Sequence, residues 1–156
     1  MYIEILAIVV LVLIDQLSKV WISSHLLVGS SLPVINNFFA LTYVQNQGIA
    51  FGMFFGYVWV FVVVTVIFLV VIFFILKKIR SPKYLLCRIA VVFIAAGAVG
   101  NLIDRAFRGY VVDFFNFYGV WSYVFNVADV CINIGAGLLI IYFVFFDRKK
   151  KEKIEK

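Results

Sequence analysis

Residues 125–146 read FNVADVCINIGAGLLIIYFVFF, and the fold turns on how this stretch is read. It is long and apolar enough to cross a bilayer, for which about 20 such residues suffice. From 127 to 146 its only charge is Asp129. An ionisable side chain at membrane depth is costly and is kept for pairing or for function. Asp129 is therefore the first candidate functional residue.

Outward from this stretch the pattern repeats. Of 156 residues, 65% are hydrophobic and 14% charged, and the mean hydropathy is +1.11. Soluble domains carry about 25% charged residues, so the chain reads as an integral membrane protein. Further apolar stretches at roughly 3–22, 57–76 and 85–104 join 120–146 to make four spans. They use up most of the chain, which implies a single integral membrane domain over 1–156, with 23–56 and 105–119 outside the bilayer. No Lys or Arg precedes the first span and no small-residue cleavage pattern follows it, so it is expected to be retained rather than removed as a signal peptide.

Charge placement orients the spans. Lys77, Lys78, Arg80, Lys83 and Arg88 lie between spans two and three, and a basic tail follows span four, whereas 25–56 has no Lys or Arg. The positive-inside rule then makes both termini cytoplasmic. Trp21, Trp59 and Trp121 fall at the expected outer boundary, where indole rings prefer to sit. The tail, DRKKKEKIEK, reads as a topology anchor attracted to anionic lipid rather than as a nucleic-acid-binding segment. Cys87 and Cys131 are expected at different depths, as packing residues.

The polar residues gather in one stratum. Asp15 and Lys19 lie in the outer third of span one, Asp104 and Arg105 end span three, and Asp113 stands in the outer connection. Asp129 is expected ~10 Å below the outer end of its helix. Helical spacing groups Gly97, Asn101 and Asp104 on one face, Asn126, Asp129 and Asn133 on another, and Asp15 with Lys19 on a third. Three such stripes should face each other, since none can face lipid. Asn133 is expected to make an interhelical hydrogen bond. The run AAGAVG at 95–100 offers the small residues that let helices approach closely.

Between spans one and two, 32–48 reads LPVINNFFALTYVQNQG. Phe39, Leu41 and Tyr43 alternate with Ala40, Thr42 and Val44, which predicts a strand. Asn46-Gln47-Gly48 is a turn signal. A small extracytoplasmic sheet follows from both.

The chemistry narrows by elimination. The one histidine, His25, sits at the loop edge of span one, and H-E-x-x-H, G-x-S-x-G and a phosphate-binding glycine loop are all missing from the sequence. What remains is carboxylates with amide and cationic helpers. Two carboxylates sharing one proton can activate water and polarise a carbonyl. A structural polar network or an ion pathway would use the same residue types.

The motifs, in order, are DQLSK (15–19), NQGIAFG (46–52), GAVGNLIDR (97–105), VVDF (111–114) and FNVAD (125–129). Across four spans this set resembles the bacterial lipoprotein signal peptidase, or type II signal peptidase, family. The resemblance implies an all-α membrane protein of four transmembrane helices with a small extracytoplasmic β-sheet and a short lid-like outer connection over 105–119. It implies an intramembrane aspartic endopeptidase that removes the signal peptide from diacylglyceryl-modified prolipoproteins, cutting just before the lipidated cysteine. The catalytic pair would be Asp113 and Asp129. Asp15, Asn46, Asn101, Arg105 and Asn126 match positions that support the pair or contact substrate. Lys19, Gly97, Asp104 and Ala128 match further motif positions. No metal or other cofactor is implied, and the enzyme is expected to act as a monomer among the lipids of the bacterial plasma membrane, its active site near the outer leaflet. The apolar helix around Asp129 is expected to help keep one carboxyl protonated. Fifteen residues separate the two aspartates, a compact connection that leaves the lid's shape open.

Two other readings compete. A small proton- or ion-coupled transporter would place polar groups near the midplane and show internal repeats, and this sequence has neither. A non-catalytic assembly protein, its aspartates merely joining helices, would keep its function in Asp113→Asn.

Overall fold

The computed structural model describes residues 2–48 and 58–147. Its helices are α1 (Tyr2–His25), α2 (Val58–Lys78), α3 (Leu85–Arg108) and α4 (Val127–Tyr142), the last continued by a wider turn over Phe143–Asp147. All four are long and apolar enough to cross a membrane. Strands β1 (Ser31–Ile35), β2 (Phe39–Asn46) and β3 (Val111–Phe117) form an antiparallel sheet in that order.

α3 is the helix the others surround, with 56% of its span buried against 6% for α2. The sequence explains the contrast. α2 is β-branched and aromatic on every side, which suits lipid, whereas α3 carries the small residues. α1 inverts the soluble amphipathic pattern: Asp15, Lys19 and Ile22 are buried, while Leu6, Val9, Leu13 and Leu17 are exposed to the surroundings. Polar groups at this depth must turn inward.

A Cβ on Gly97 would collide with the Ala128 carbonyl oxygen and come within 2.7 Å of Ile132 Cγ1, and one on Gly135 would lie 2.6 Å from the Ala90 carbonyl oxygen. The α3–α4 backbones are thus in direct contact at two levels, as the small-residue run predicted. Gly97→Ala should cost ~1–3 kcal/mol through overpacking, read as a lower melting temperature. Gly137, whose Cβ would meet nothing within 4 Å, is the control, and Gly137→Ala should hold or raise stability.

The strand expected at 39–44 is β2, which runs on to Asn46. The turn signal after it is an Asx turn, Gly48 N donating to Asn46 Oδ1 at 3.0 Å. The sheet is seated on α1 by Ile22, Tyr43, Val112 and Phe114.

Two expectations are refined. The connection over 105–119 is built around a strand. Helix α3 runs to Arg108, stops at Gly109 in the left-handed conformation (φ 75°), and the chain turns directly into β3, which pairs with β2 from Phe39↔Phe117 to Asn46↔Val111. Backbone pairing to β2 claims those residues. The second is that span four does not begin at 120. The Phe125 carbonyl accepts from Phe114 N at 3.0 Å and Phe115 N at 2.7 Å, and Phe125 N donates to Phe115 O at 3.1 Å. These bonds hold 120–126 out of the helix, and Asn126 then caps α4. Residues 49–52 of NQGIAFG and the basic tail from 148 lie outside the described residues.

Candidate active site

The recessed start of α4 builds the site. Asn126 and Asp129 form a reciprocal capping box: Asp129 N donates to Asn126 Oδ1 at 2.9 Å, and Asn126 N donates to Asp129 Oδ2 at 3.2 Å. With its oxygen so engaged, the Asn126 amide must turn its Nδ2 outward. It donates to Asp113 Oδ1 at 2.6 Å and to Asn101 Oδ1 at 3.2 Å. Asn126 therefore bonds both aspartates, one from α4 and one from β3.

Two more amides are fixed the same way. The Asx turn engages the Asn46 oxygen, so Asn46 Nδ2 donates to Asp113 Oδ2 at 2.9 Å. Lys19 Nζ donates to Asn101 Oδ1 at 3.1 Å, so Asn101 Nδ2 donates to Asp129 Oδ1 at 2.9 Å. All three asparagines thus present N–H to the carboxylates. Donors of this kind are aligned in advance for groups that carry or develop negative charge.

Behind the amides lies a buried ionic strut. Lys19, 0% exposed, lies 2.9 Å from both Asp15 Oδ2 and Asp104 Oδ2. With Asn101, these acceptors satisfy its three N–H groups. Asp15 Oδ1 accepts from Ala128 N at 2.9 Å, and Asp104 Oδ2 accepts from Val112 N at 3.0 Å. Each carboxylate grips the backbone N–H of the residue just before one of the two aspartates. Asp104 Oδ1 also accepts from Arg108 NH1 at 2.6 Å.

Asp113 and Asp129 line a cavity of about 870 Å³ together with Asn46, Asn101 and Arg105. Arg105 donates to Gly48 O at 3.4 Å and lies over the Phe61 ring. Burial first, then the Asp129 charge, push the Asp113 carboxyl up from the usual carboxylate range to about 7. Near neutral pH a substantial share of Asp113 is therefore protonated.

Two carboxylates, one of them with its pKa raised toward neutral, facing one cavity with amide donors fixed around them is the arrangement of an aspartic peptidase. Residues 7–145 match the peptidase A8 family, signal peptidase (SPase) II. The chain belongs to the signal peptidase II family. The chain is 48% identical over 145 residues to the lipoprotein signal peptidase of Fusobacterium nucleatum subsp. nucleatum, covering 92% of this chain and 87% of that protein. Against the lipoprotein signal peptidase of Clostridioides difficile strain 630 it is 43% identical over 148 residues, covering 94% and 98%. Its fold is similar to a bacterial membrane enzyme solved by the in meso method at 1.9 Å resolution, with a TM-score of 0.82, 34% identity, and 94% and 95% of the two chains covered.

Within this signal peptidase II fold, every residue singled out from the motifs falls in or directly behind the cluster. Gly97 and Ala128 do so by backbone contact, the rest by side chains. His25 instead stacks on Trp21 at a ring separation of 4.7 Å and does not line the cavity. Sequence reasoning missed Gln16, whose Nε2 donates to Asp15 Oδ2 at 3.0 Å and to Gly100 O at 3.1 Å; its place inside DQLSK was the available signal. It also misplaced Asn133. Among the described residues Asn133 makes no interhelical hydrogen bond and has no other hydrogen-bond partner, and it lines the cavity. Thr65 lines it too, and as the one hydroxyl or amide in 58–76 it could have been noticed.

Proposed function

We propose that Asp113 and Asp129 are the catalytic pair of a lipoprotein signal peptidase that removes signal peptides from diacylglyceryl-modified prolipoproteins, cutting just before the lipidated cysteine. The observation that carries this is Asn126, which hydrogen-bonds both carboxylates and so holds them on one cavity wall. Asp129 takes a proton from water as the water oxygen attacks the scissile carbonyl carbon. Asp113 gives its proton to the carbonyl oxygen, completing a tetrahedral gem-diol. Asp129 then returns its proton to the departing nitrogen of the cysteine, and Asp113 recovers one as the new carboxyl group forms. One water is consumed and both carboxyls end as they began.

Asp15, Lys19, Asn46, Gly97, Asn101, Asp104, Asn126 and Ala128 hold the pair in place, and Arg105 at the cavity wall meets substrate. The whole chain acts as one domain, a monomer in the bacterial plasma membrane with both termini in the cytoplasm. The sheet and the mouth of the cavity then face the outer leaflet, where a diacylglyceryl group would anchor the cysteine. The transporter reading lacks support, because the ionisable cluster at the sheet end has no continuation through the bundle.

The test is a gel-shift assay of signal-peptide loss by purified protein in detergent, using a prolipoprotein with and without its diacylglyceryl group. Cleavage of the lipidated form alone is expected. Equal cleavage of both forms would remove the lipid from the reading, and none by a folded protein would sink it. The pH profile is a second test. The active form needs Asp113 protonated, so kcat/KM should fall on the alkaline side of about 7, about tenfold per pH unit once the pair has lost its proton. A profile flat to pH 9 would contradict the assignment of the proton.

A further inference from the structure

A protease can cut only a segment whose backbone is unwound. At membrane depth an unwound backbone leaves N–H and C=O groups without partners, each at a cost of several kcal/mol. On the helix side the cavity walls come from α2, α3 and α4 and include apolar side chains, among them Val64, Phe68 and Ile132. Two polar side chains interrupt those walls, Thr65 from α2 and Asn133 from α4.

Among the described residues neither is used by the protein itself. A hydroxyl in a helix ordinarily bonds back to a carbonyl of the preceding turn. Ser18 does so to Asp15 O at 2.6 Å, and Ser23 and Ser24 likewise. Thr65, half-buried, makes no such bond among the described residues, and Asn133, exposed on the cavity side of α4, makes none of any kind. An amide kept at this depth without a protein partner, in a cavity wall, is placed for a ligand.

We propose that Thr65 and Asn133 hydrogen-bond the unwound backbone of the signal peptide on the N-terminal side of the scissile bond. Asn133 follows Asp129 by one helical turn, ~6 Å deeper, and extended chain rises ~3.3 Å per residue. The contact therefore falls about two residues before the cleavage site. An amide offers both a donor and an acceptor, and a hydroxyl does the same, so together they can serve one residue's N–H and C=O as a neighbouring strand would. Recognition of this kind reads the backbone and tolerates varied side chains. The inference rests on the peptidase reading above.

The experiment uses the full chain, a synthetic diacylglyceryl-modified prolipoprotein peptide, and a matched peptide with an ester in place of the amide two residues before the cleavage site. The ester removes one N–H and weakens a carbonyl acceptor. With the amide substrate, Thr65→Val and Asn133→Leu should each raise KM about 5-fold, the worth of one net hydrogen bond, with kcat held within about twofold. With the ester substrate the unmutated enzyme should show the same loss and Asn133→Leu should add nothing to it. Unchanged KM in both variants, or an Asn133→Leu effect of equal size on amide and ester, would overturn the inference while leaving the peptidase reading intact. Absence of cleavage of either substrate by the unmutated protein would overturn both together.

Discussion

Asp129→Asn should lower kcat/KM by about 10³-fold or more, within the range that a positioned general base contributes, while the protein still folds. Asp129 has two duties that the substitution separates. As half of the capping box it accepts from Asn126 N, and an asparagine oxygen can still do so. As the proposed base it must take a proton from water, which an amide cannot do. The helix start therefore survives and the reaction does not. Asp113→Asn should lose activity to a similar degree, and both variants should be less stable. Both oxygens of Asp113 accept from amides, Asn46 and Asn126, and those of Asp129 accept from Asn101 Nδ2 and Asn126 N, all donors locked from the far side. In either variant the new NH2 must face one of these donors. Single-turnover cleavage with circular dichroism of each variant is the check. Substantial activity in either would return the aspartates to a purely structural role.

Lys19→Met should destabilise the protein by ~3–5 kcal/mol, the cost of leaving buried charge uncompensated. Its melting temperature should fall further than that of Gly97→Ala or of either aspartate variant. The lysine is fully buried between Asp15 and Asp104, and its removal leaves two carboxylates facing each other with no cation between them. Combining Lys19→Met with Asp104→Asn removes one of those charges and should recover part of the loss. If the double variant is no more stable than the single one, Lys19 acts by packing rather than by charge. The damage should also reach activity, because Asp15 and Asp104 hold the Ala128 and Val112 amides immediately before the proposed pair.

Much of the architecture is legible without the structure. Helix α2 can be read directly, since an unbroken apolar run of its length has no other stable home. Strand β2 can be read from its alternation, and the packing of Gly97 from the small residues around it. Asp15, Lys19, Asn101 and Asp104 can be grouped because helical spacing puts them on inward faces. The start of α4 cannot. Residues 120–126 are as apolar as a helix end, and only the backbone bonds of Phe125 to β3, made across a sheet, take them out of it. The role of 105–119 is hidden for the same reason: a strand is specified by its partner, and the partner of β3 is distant in the sequence.

A four-span membrane protein whose polar residues share one level follows from the residues alone, because polar groups that lipid cannot solvate must find one another. Which groups meet depends on how the folded chain packs. That packing raised the pKa of the Asp113 carboxyl, through the burial that β3 imposes and the nearby charge of Asp129. It also turned Asn133 into the cavity instead of toward a neighbouring helix. Both outcomes depend on where chain segments far apart in sequence come to rest, and no local pattern carries that information.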